Sequence, residues 1–543
     1  MRTRAALVNF GWEASNAGRY VRYRAPLSRP EAAQRRLLAS YLRDNAGTGF
    51  GRRHDFARLR SYADFRAAVP LSTYDDIAPY VDAIRAGRAN VLTREAVRRL
   101  VPSGGSTRAQ KLIPYTATLH DDFNAGIGPW ICDQFARRPG LMAGPAYWSV
   151  SPAAQPPAAT GQSAVPVGFD DDSAYVGGTW RRLIGAAFAV PSAVRHAPSI
   201  ESFRYVTLLC LLRARDLRLV SVWHPSFLTL LLNALPASFE RLLKDVADGT
   251  STPPERLPSE LTDVMRARPM PSRSAELGRS GFANTRAIWP RLGLISCWAD
   301  AHAGLHVDGL RRWFPGVPVQ PKGLIATEAF VSLPFAGLHP LAVRSHFFEL
   351  LDDRGDAHLA HEVSPGVEYR VVVTTGGGLY RYMLQDRVRV DGMVGRTPSI
   401  RFVGKEDQVS DRFGEKLSEG FVGDVLRRLF DRHRLRPPFA MLAPETRGGE
   451  TGYALFIEGS ELPPALSAEL DEALAENPHY RYCRDLAQLA PARVVRVRCD
   501  GYAAYVAVCR RRGQRLGDVK ASPLSVHDGW GKLFDNAAAP TRV

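Results

Sequence analysis

The chain has 543 residues, of which 45% are hydrophobic and 23% charged, which excludes a fibrous or disordered protein. Its net charge is +16, but the basic residues are dispersed, which does not favour a nucleic-acid-binding surface. The six cysteines are widely spaced and form no C-x-x-C pair, so a disulfide scaffold or a zinc ribbon is not indicated. Charged residues interrupt the most apolar stretch, so we expect no membrane span and a cytoplasmic protein.

The first hundred residues are predicted to be helical. Apolar residues at helical spacing predict a helix over 31–44, and Ser72 or Thr73 is placed to cap another. A turn and an amphipathic helix follow over 112–135. The stretch 151–166 is rich in proline and alanine and is typical of an exposed loop.

Strands become frequent in the second half of the chain. Short apolar runs predict buried parallel strands at 292–298 and 320–327, after a buried segment at 206–212 and a strand at 218–223. Alternating residues predict antiparallel strands at 369–374, 379–383 and 388–390. The last third predicts helices at 419–432 and 465–476 and strands at 453–458, 493–498 and 502–508. This pattern indicates a large α/β domain, 1–404, and a smaller α+β domain, 405–543, with a boundary near 404–408.

A serine- and glycine-rich segment provides the strongest local signal for a ligand. Its glycines allow backbone N–H groups to turn toward an anion, and its hydroxyl groups and lysine add donors and a positive charge. The residues concerned are Ser103, Gly104, Ser106, Thr107 and Lys111. The spacing is not that of a P-loop, so a phosphate cradle and a plain surface turn both remain open.

Two carboxylates are candidates for nucleotide binding. Glu328, preceded by Thr327, ends an apolar run, and ligands of α/β sheets bind beyond the carboxyl ends of strands. It could hold magnesium on a nucleotide or be a solvated strand-end acid. Asp386 lies between two strand-like runs, where it could accept hydrogen bonds from ribose hydroxyls or belong to a turn.

Lysine is rare in this chain, since only seven of the 71 Lys and Arg residues are lysine. A retained lysine therefore indicates a need for a compact ammonium group that arginine cannot supply. Lys111 lies in the serine- and glycine-rich segment. Lys405 follows a glycine at the domain boundary, which suits a hinge, and Lys520 lies near the C-terminus.

In order and spacing, these segments resemble the acyl acid amido synthetases, the family of plant auxin- and jasmonate-conjugating enzymes and their bacterial relatives. The family belongs to the acyl-adenylate-forming superfamily. The resemblance covers nearly the whole chain and depends on these segments: N-A-G-T-G-F-G at 45–51, F-R-A-A-V-P-L-S-T-Y at 65–74, the segment at 103–114, G-L-I-A-T-E at 323–328, E-Y-R-V-V-V-T-T-G-G-G-L-Y-R-Y at 368–382, R-F-V-G-K at 401–405, N-P-H-Y at 477–480 and G-D-V-K at 517–520.

The resemblance implies a large adenylation domain, with mixed sheets flanked by helices and a small distorted β-barrel, capped by a mobile α+β domain. It implies that a carboxylic acid reacts with magnesium-ATP to give an acyl-adenylate, which an amine, usually that of an amino acid, converts to an amide. We expect a bacterial, cytoplasmic monomer with no nucleic-acid or membrane partner.

The resemblance also assigns roles to residues. Thr327 and Glu328 would act at the α-phosphate and at magnesium, and Lys520 would enter the site for adenylation. The other ATP-binding positions are Ser103, Gly104, Ser106, Thr107, Lys111, Asp386, Arg401 and Lys405. Trp130, on the helix after the cradle, would line the acyl pocket.

The chain departs from the usual family pattern at three positions. Relatives usually have Thr where Gly105 stands, and Gly where Arg108 and Gln385 stand. Three alternatives stay open: a coenzyme A ligase that shares the first half-reaction, a catalytically silent relative, and a basic nucleic-acid-binding protein.

Overall fold

A computed structural model describes residues 2–103, 111–149, 163–168, 185–301, 303–405, 409–447, 449–459, 461–511 and 519–538. The chain divides into two units. The first comprises Met1–Trp298, Leu310–Leu384 and Val388–Phe402. The second comprises Ala299–Gly309, Gln385–Arg387 and Val403–Val543, so two internal segments group with the C-terminal residues.

Helices predominate over strands in the first unit. They are α1 (Arg2–Ser28), α2 (Pro30–Asn45), α3 (Gly49–Arg53), α4 (Tyr62–Ala68), α5 (Tyr74–Arg85), α6 (Ala117–Arg137), α7 (Ile200–Arg213), α8 (Pro225–Asn233), α9 (Leu235–Asp248), α10 (Ser259–Met265), α11 (Pro271–Ser280) and α12 (Thr285–Ile288). Helix α13 (Ala303–Trp313) begins in the second unit and ends in the first. Short 3₁₀ helices are Phe56–Arg58, Pro139–Ala143, Gly185–Ala187 and Ser192–His196.

Two sheets and a hairpin organise the first unit. The hairpin is β1 (Arg99–Ser103) and β2 (Lys111–Tyr115). The four-stranded sheet has the order β3 (Ala146–Trp148), β4 (Leu219–Ser221), β5 (Leu294–Cys297) and β6 (Val319–Pro321), with every pair parallel. The other sheet contains β7 (Phe347–Leu351), β8 (Ala357–Leu359), β9 (Glu368–Thr374), β10 (Tyr382–Val394) and β11 (Thr397–Lys405), in the order β11-β10-β9-β7-β8.

The second unit is α+β. Its strands are β12 (Val409–Ser410), β13 (Leu417–Ser418), β14 (Ala440–Arg447), β15 (Glu450–Glu458) and β16 (Ala490–Val497). Its helices are α14 (Glu419–Arg432), α15 (Leu466–Leu474), α16 (Pro478–Asp485), α17 (Gly501–Arg511) and α18 (Trp530–Ala538). Strand β15 pairs antiparallel with β14 and parallel with β16.

Three sequence-based assignments were wrong in detail. The strand predicted at 502–508 is helix α17: Tyr502, Tyr505 and Cys509 are buried at helical spacing, and Ala503 N–H donates to the Asp500 carboxylate. Of the strand predicted at 320–327, only the first two residues belong to a parallel strand, β6, which ends at Pro321. The runs 379–383 and 388–390 do not form separate strands, because β10 is continuous from Tyr382.

The parallel sheet is buried beneath helices. Nearly every residue of α7 from Ser202 onward is buried, which agrees with the buried segment predicted at 206–212. Strands β4 and β5 are fully buried, as strands covered on both faces must be.

The predicted fold class, an α/β region followed by an α+β region, is confirmed. Among the described residues, no helix is long and apolar enough to span a membrane.

Candidate active site

The β1–β2 hairpin holds the two ends of the serine- and glycine-rich segment. Ser103 and Lys111 are paired directly across the hairpin. Gly104, Ser106 and Thr107, together with the departures Gly105 and Arg108, lie outside the described residues. The structure therefore places the flanks of the predicted phosphate cradle.

Thr327 and Glu328 occupy the tip of a short hairpin rather than the end of a strand. Ile325 bridges to Phe330, and Ala326 N–H donates to the Ala329 carbonyl, which leaves Thr327 and Glu328 at the turn. The hairpin has a tight base, because a Cβ atom at Gly323, whose φ is +76°, would lie 2.8 Å from the Ser332 carbonyl oxygen.

This turn contacts the β1–β2 hairpin at two points. The Ser103 hydroxyl donates to Glu328 Oε1 over 2.9 Å, and the Tyr115 hydroxyl donates to the Thr327 carbonyl over 3.3 Å. Glu328 is only 8% exposed, so the hydroxyl that satisfies one carboxylate oxygen also fixes its orientation. The structure thus brings together two predicted site residues that are far apart in sequence.

A buried polar network supports the same turn from behind. His346 Nε2 accepts the Phe330 N–H over 2.9 Å, and burial lowers the pKa of His346 to about 3, so the imidazole is neutral. Asp122, 3.8 Å from His346, accepts from the Tyr41 hydroxyl over 2.8 Å. Burial raises the pKa of Asp122 well above its usual value, although the hydrogen bonds to its carboxylate oppose this. Gly126 on α6 completes the support, because a Cβ atom there would lie 2.5 Å from the Phe330 ring.

Asp386 lies within β10 and is 3% exposed. Lys405 Nζ is 3.3 Å from its Oδ1, yet that oxygen accepts no aligned hydrogen bond from any described residue. A buried carboxylate oxygen with spare acceptor capacity fits a hydroxyl donor such as that of a ribose. The preceding residue, Gln385, has a left-handed backbone with φ +61°, a region that favours glycine.

Arg401 and Lys520, two other predicted ATP-site residues, make contacts away from Glu328 and Asp386. Arg401 forms an ion pair with Asp391, with Nε 2.7 Å from Oδ2, and both side chains are partly exposed. Lys520 belongs to the second unit; its side chain is exposed and its carbonyl accepts from the Tyr505 hydroxyl over 3.0 Å. Gly517 and Asp518 lie outside the described residues.

Trp130, predicted in the acyl pocket, is buried on α6. Its ring centroid is 6.0 Å from that of Trp148, which ends β3. Lys322, which follows β6, has its Nζ 5.6 Å from the Trp130 ring centroid. Trp130 therefore lies near the carboxyl edge of the parallel sheet, the usual location of ligands in such sheets.

Sequence reasoning missed several residues. Lys322 was one of the seven lysines, and its rarity and its place after a strand were available signals. Tyr115 had no signal beyond its position at the end of β2. Arg381 was quoted only within the family segment, and its role is structural: it pairs with the Glu349 carboxylate and donates to the Val69 carbonyl. Among the described residues, no cluster of three or more His, Cys, Asp or Glu side chains suits a metal ion.

Comparison with protein families gives a consistent result along most of the chain. Residues 22–319 match the GH3 family N-terminal domain, residues 339–405 the GH3 family central domain, and residues 430–528 the GH3 family C-terminal domain. The chain belongs to the GH3 family.

Similar proteins include curated plant enzymes. The "Probable indole-3-acetic acid-amido synthetase GH3.12" of Oryza sativa subsp. japonica is 26% identical over 71% of this chain and 71% of its own. The "Indole-3-acetic acid-amido synthetase GH3.17" of Arabidopsis thaliana is 22% identical over 92% of this chain and 91% of its own. The solved structure "AtGH3.15 acyl acid amido synthetase in complex with 2,4-DB" has a TM-score of 0.82 at 18% identity, covering 97% of this chain and 96% of that one. The expected family and enzyme class, an amide-forming ligase, are confirmed.

Proposed function

We propose that this protein uses ATP and Mg²⁺ to adenylate a carboxylic acid and then joins the acyl group to the amino group of an amino acid. In the first step a carboxylate oxygen bonds to the α-phosphorus, and the bond to the pyrophosphate oxygen breaks. In the second step the amine nitrogen bonds to the acyl carbon and loses its proton, while the bond to the AMP oxygen breaks.

The contact between Ser103 and Glu328 is the observation that carries this proposal. It places a carboxylate, held by a hydroxyl, against the hairpin that flanks the phosphate cradle. Magnesium is commonly held by one or two carboxylates together with substrate phosphates, so Glu328 fits this role without a dedicated cage of protein ligands, and the described residues contain no such cage. Magnesium bound there would offset the negative charge of the phosphates. Lys111, paired opposite Ser103, adds a fixed positive charge beside the same segment.

The remaining roles follow the chemistry of the individual side chains. Gly104, Ser106 and Thr107 would complete the phosphate cradle, and Thr327 would act at the α-phosphate. We propose Asp386 as the acceptor for the ribose hydroxyls, since its buried oxygen has acceptor capacity to spare. Lys405 and Arg401 would supply positive charge near the nucleotide, and Trp130 would line the acyl pocket.

We also propose that residues 405–543 form a mobile cap, with a hinge at 404–408, that delivers Lys520 for adenylation. Residues 406–408 lie outside the described residues. The protein would act in the cytoplasm of a bacterium as a monomer. Free thiols at all six cysteines support a reducing compartment, and the preference for arginine over lysine supports a bacterial origin.

ATP–pyrophosphate exchange across a panel of carboxylic acids tests the first half-reaction. We expect exchange with at least one acid, followed by AMP release that depends on an amino acid. Release that depends on coenzyme A and ignores amino acids would support the ligase alternative. No exchange with any acid, in protein that binds ATP, would indicate a catalytically silent relative.

The role of Asp386 is tested by calorimetry with ATP. Loss of hydrogen bonds to a charged group costs about 1.5–3 kcal/mol, so Asp386→Ala should weaken ATP binding about ten- to a hundredfold. Glu472→Ala removes an exposed carboxylate from the same unit and should leave ATP affinity unchanged. Equal ATP affinity in folded Asp386→Ala and wild type would exclude the proposed role.

A further inference from the structure

Aromatic side chains and one ammonium group gather beyond the carboxyl ends of the parallel strands. Trp148 is the last residue of β3, Trp223 follows β4 closely, Trp298 follows β5, and Lys322 follows β6. The rings of Trp223 and Trp298 contact each other, with centroids 5.4 Å apart. Parallel α/β sheets bind their ligands at this edge, so the grouping stands where a ligand is expected.

Lys322 is enclosed by indole rings. It is 3% exposed, and its Nζ lies 4.6 Å from the ring centroid of Trp223, 5.6 Å from that of Trp130 and 5.9 Å from that of Trp148. Its ammonium donates to Ser221 Oγ over 2.8 Å. Burial of an ammonium group is costly, and contact with an indole face offsets about 0.5–2 kcal/mol of that cost. The indole rings and the Ser221 hydroxyl are therefore the contacts that stabilise an ammonium group at this edge of the sheet.

Trp130 adds a second donor to the cage. The residue is 3% exposed, and its Nε1 has no hydrogen-bond partner among the residues that the structure describes. A buried donor without an acceptor costs about 1–3 kcal/mol, so most buried N–H groups are satisfied. An acceptor atom supplied by a ligand would recover this free energy.

The cage is connected to the proposed adenylation hairpin. Trp130 packs in one hydrophobic cluster with Phe330 and Ile325 of that hairpin. Only four residues, 323–326, separate Lys322 from Thr327 at the tip of that hairpin.

Building on the proposed function, we propose that Lys322 and Trp130 determine acyl specificity. They recognise an aromatic carboxylic acid that carries a second anionic or hydrogen-bond-accepting group, remote from the carboxylate that is adenylated. The indole faces would stack on the aromatic ring, while the ammonium and the indole N–H would attract the second group. An unsubstituted aromatic acid would leave the Trp130 N–H without that acceptor, and an unpaired buried donor gives strong discrimination.

Three acids that differ at one ring position test this proposal: phenylacetate, 4-nitrophenylacetate and 4-carboxyphenylacetate. In pyrophosphate exchange, we expect kcat/KM for the two substituted acids to exceed that for phenylacetate by at least tenfold. Lys322→Met keeps the length of the side chain without its charge, and should lower this preference about tenfold. Lys244→Met, at an exposed lysine of the same unit, should leave the preference as in wild type.

Trp130→Phe provides an independent variant, because it keeps an aromatic ring and removes only the N–H. It should lower the preference for 4-nitrophenylacetate over phenylacetate several-fold. This variant tests the proposal even if Lys322→Met does not fold. Equal losses for all three acids in both variants would show a purely structural role and overturn the inference. Exchange by wild type without any preference would overturn the inference alone, whereas no exchange with any acid would overturn the proposed function as well.

Discussion

The folded protein should be more stable with Gln385→Gly than with Gln385→Ala, which is the reverse of the usual order for a residue in a strand. Its φ of +61° places it in the left-handed region, where an L-residue pays about 1–2 kcal/mol. Glycine avoids this penalty but loses about 0.5–1 kcal/mol through its freedom in the unfolded chain. We therefore expect Gln385→Gly to exceed Gln385→Ala in unfolding free energy by about 0.5–1 kcal/mol.

Arg389 provides the matched control on the same strand. It is exposed, and its ion pair with Glu368, at 3.5 Å, is lost equally in Arg389→Ala and Arg389→Gly. At this position glycine should be less stable than alanine by about 0.5–1 kcal/mol. The entropic cost of glycine is the same at positions 385 and 389. The glycine–alanine difference at 385 minus that at 389 therefore gives the cost of the left-handed backbone, about 1–2 kcal/mol.

Urea denaturation of the four variants measures these differences through their midpoints at a constant slope. The same order at both positions, with alanine more stable than glycine at 385, would refute the reasoning. It would mean that the left-handed conformation at Gln385 carries no penalty.

Three further predictions concern stability and catalysis. Arg381→Met should lower the unfolding free energy by about 3–5 kcal/mol, because it leaves the buried Glu349 carboxylate without its ion-pair partner. In urea denaturation, the added substitution Glu349→Gln should recover much of that loss. A double variant no more stable than Arg381→Met would contradict this prediction. The pKa of His346 is about 3, below its unfolded value near 6.5, so protonation of the unfolded chain lowers stability as pH falls from about 6.5 toward 3. Between pH 7 and 4.5, wild type should lose about 2 kcal/mol more than His346→Gln, and equal losses would exclude this contribution. Lys520→Ala should slow pyrophosphate exchange about a hundredfold while ATP affinity stays unchanged, whereas Lys532→Ala, at another exposed lysine, should match wild type; exchange at the wild-type rate in Lys520→Ala would end the catalytic assignment.

The sequence was most informative where a local pattern corresponds to a local structure. The helix predicted at 419–432 has those bounds, because Ser418 caps it and apolar residues repeat along one face. Helix α17 was misassigned because a short apolar run with tyrosine and valine is compatible with both a strand and a helix. The cap at Asp500 was the signal that could have decided it.

The candidate site was predictable in its members but not in its contacts. Family resemblance singled out Ser103 and Glu328, whereas their hydrogen bond depends on how two hairpins pack. Lys322 was missed although lysine is rare in this chain, because nothing in the sequence shows which side chains surround it. Its significance comes from tryptophans contributed by other strands and by α6, which only the tertiary structure brings together.

The grouping of two internal segments with the C-terminal residues bears on domain exchange between family members. Asp308 pairs with Arg436, at 3.4 Å, and the ring of His306 packs 5.8 Å from that of Tyr502. A chimera joined at a single point near 404 would take these partners from different parents, as it would Asp386 and Lys405. A transplanted C-terminal region should therefore travel with Ala299–Gly309 and Gln385–Arg387, so that three stretches of sequence are inherited as one unit.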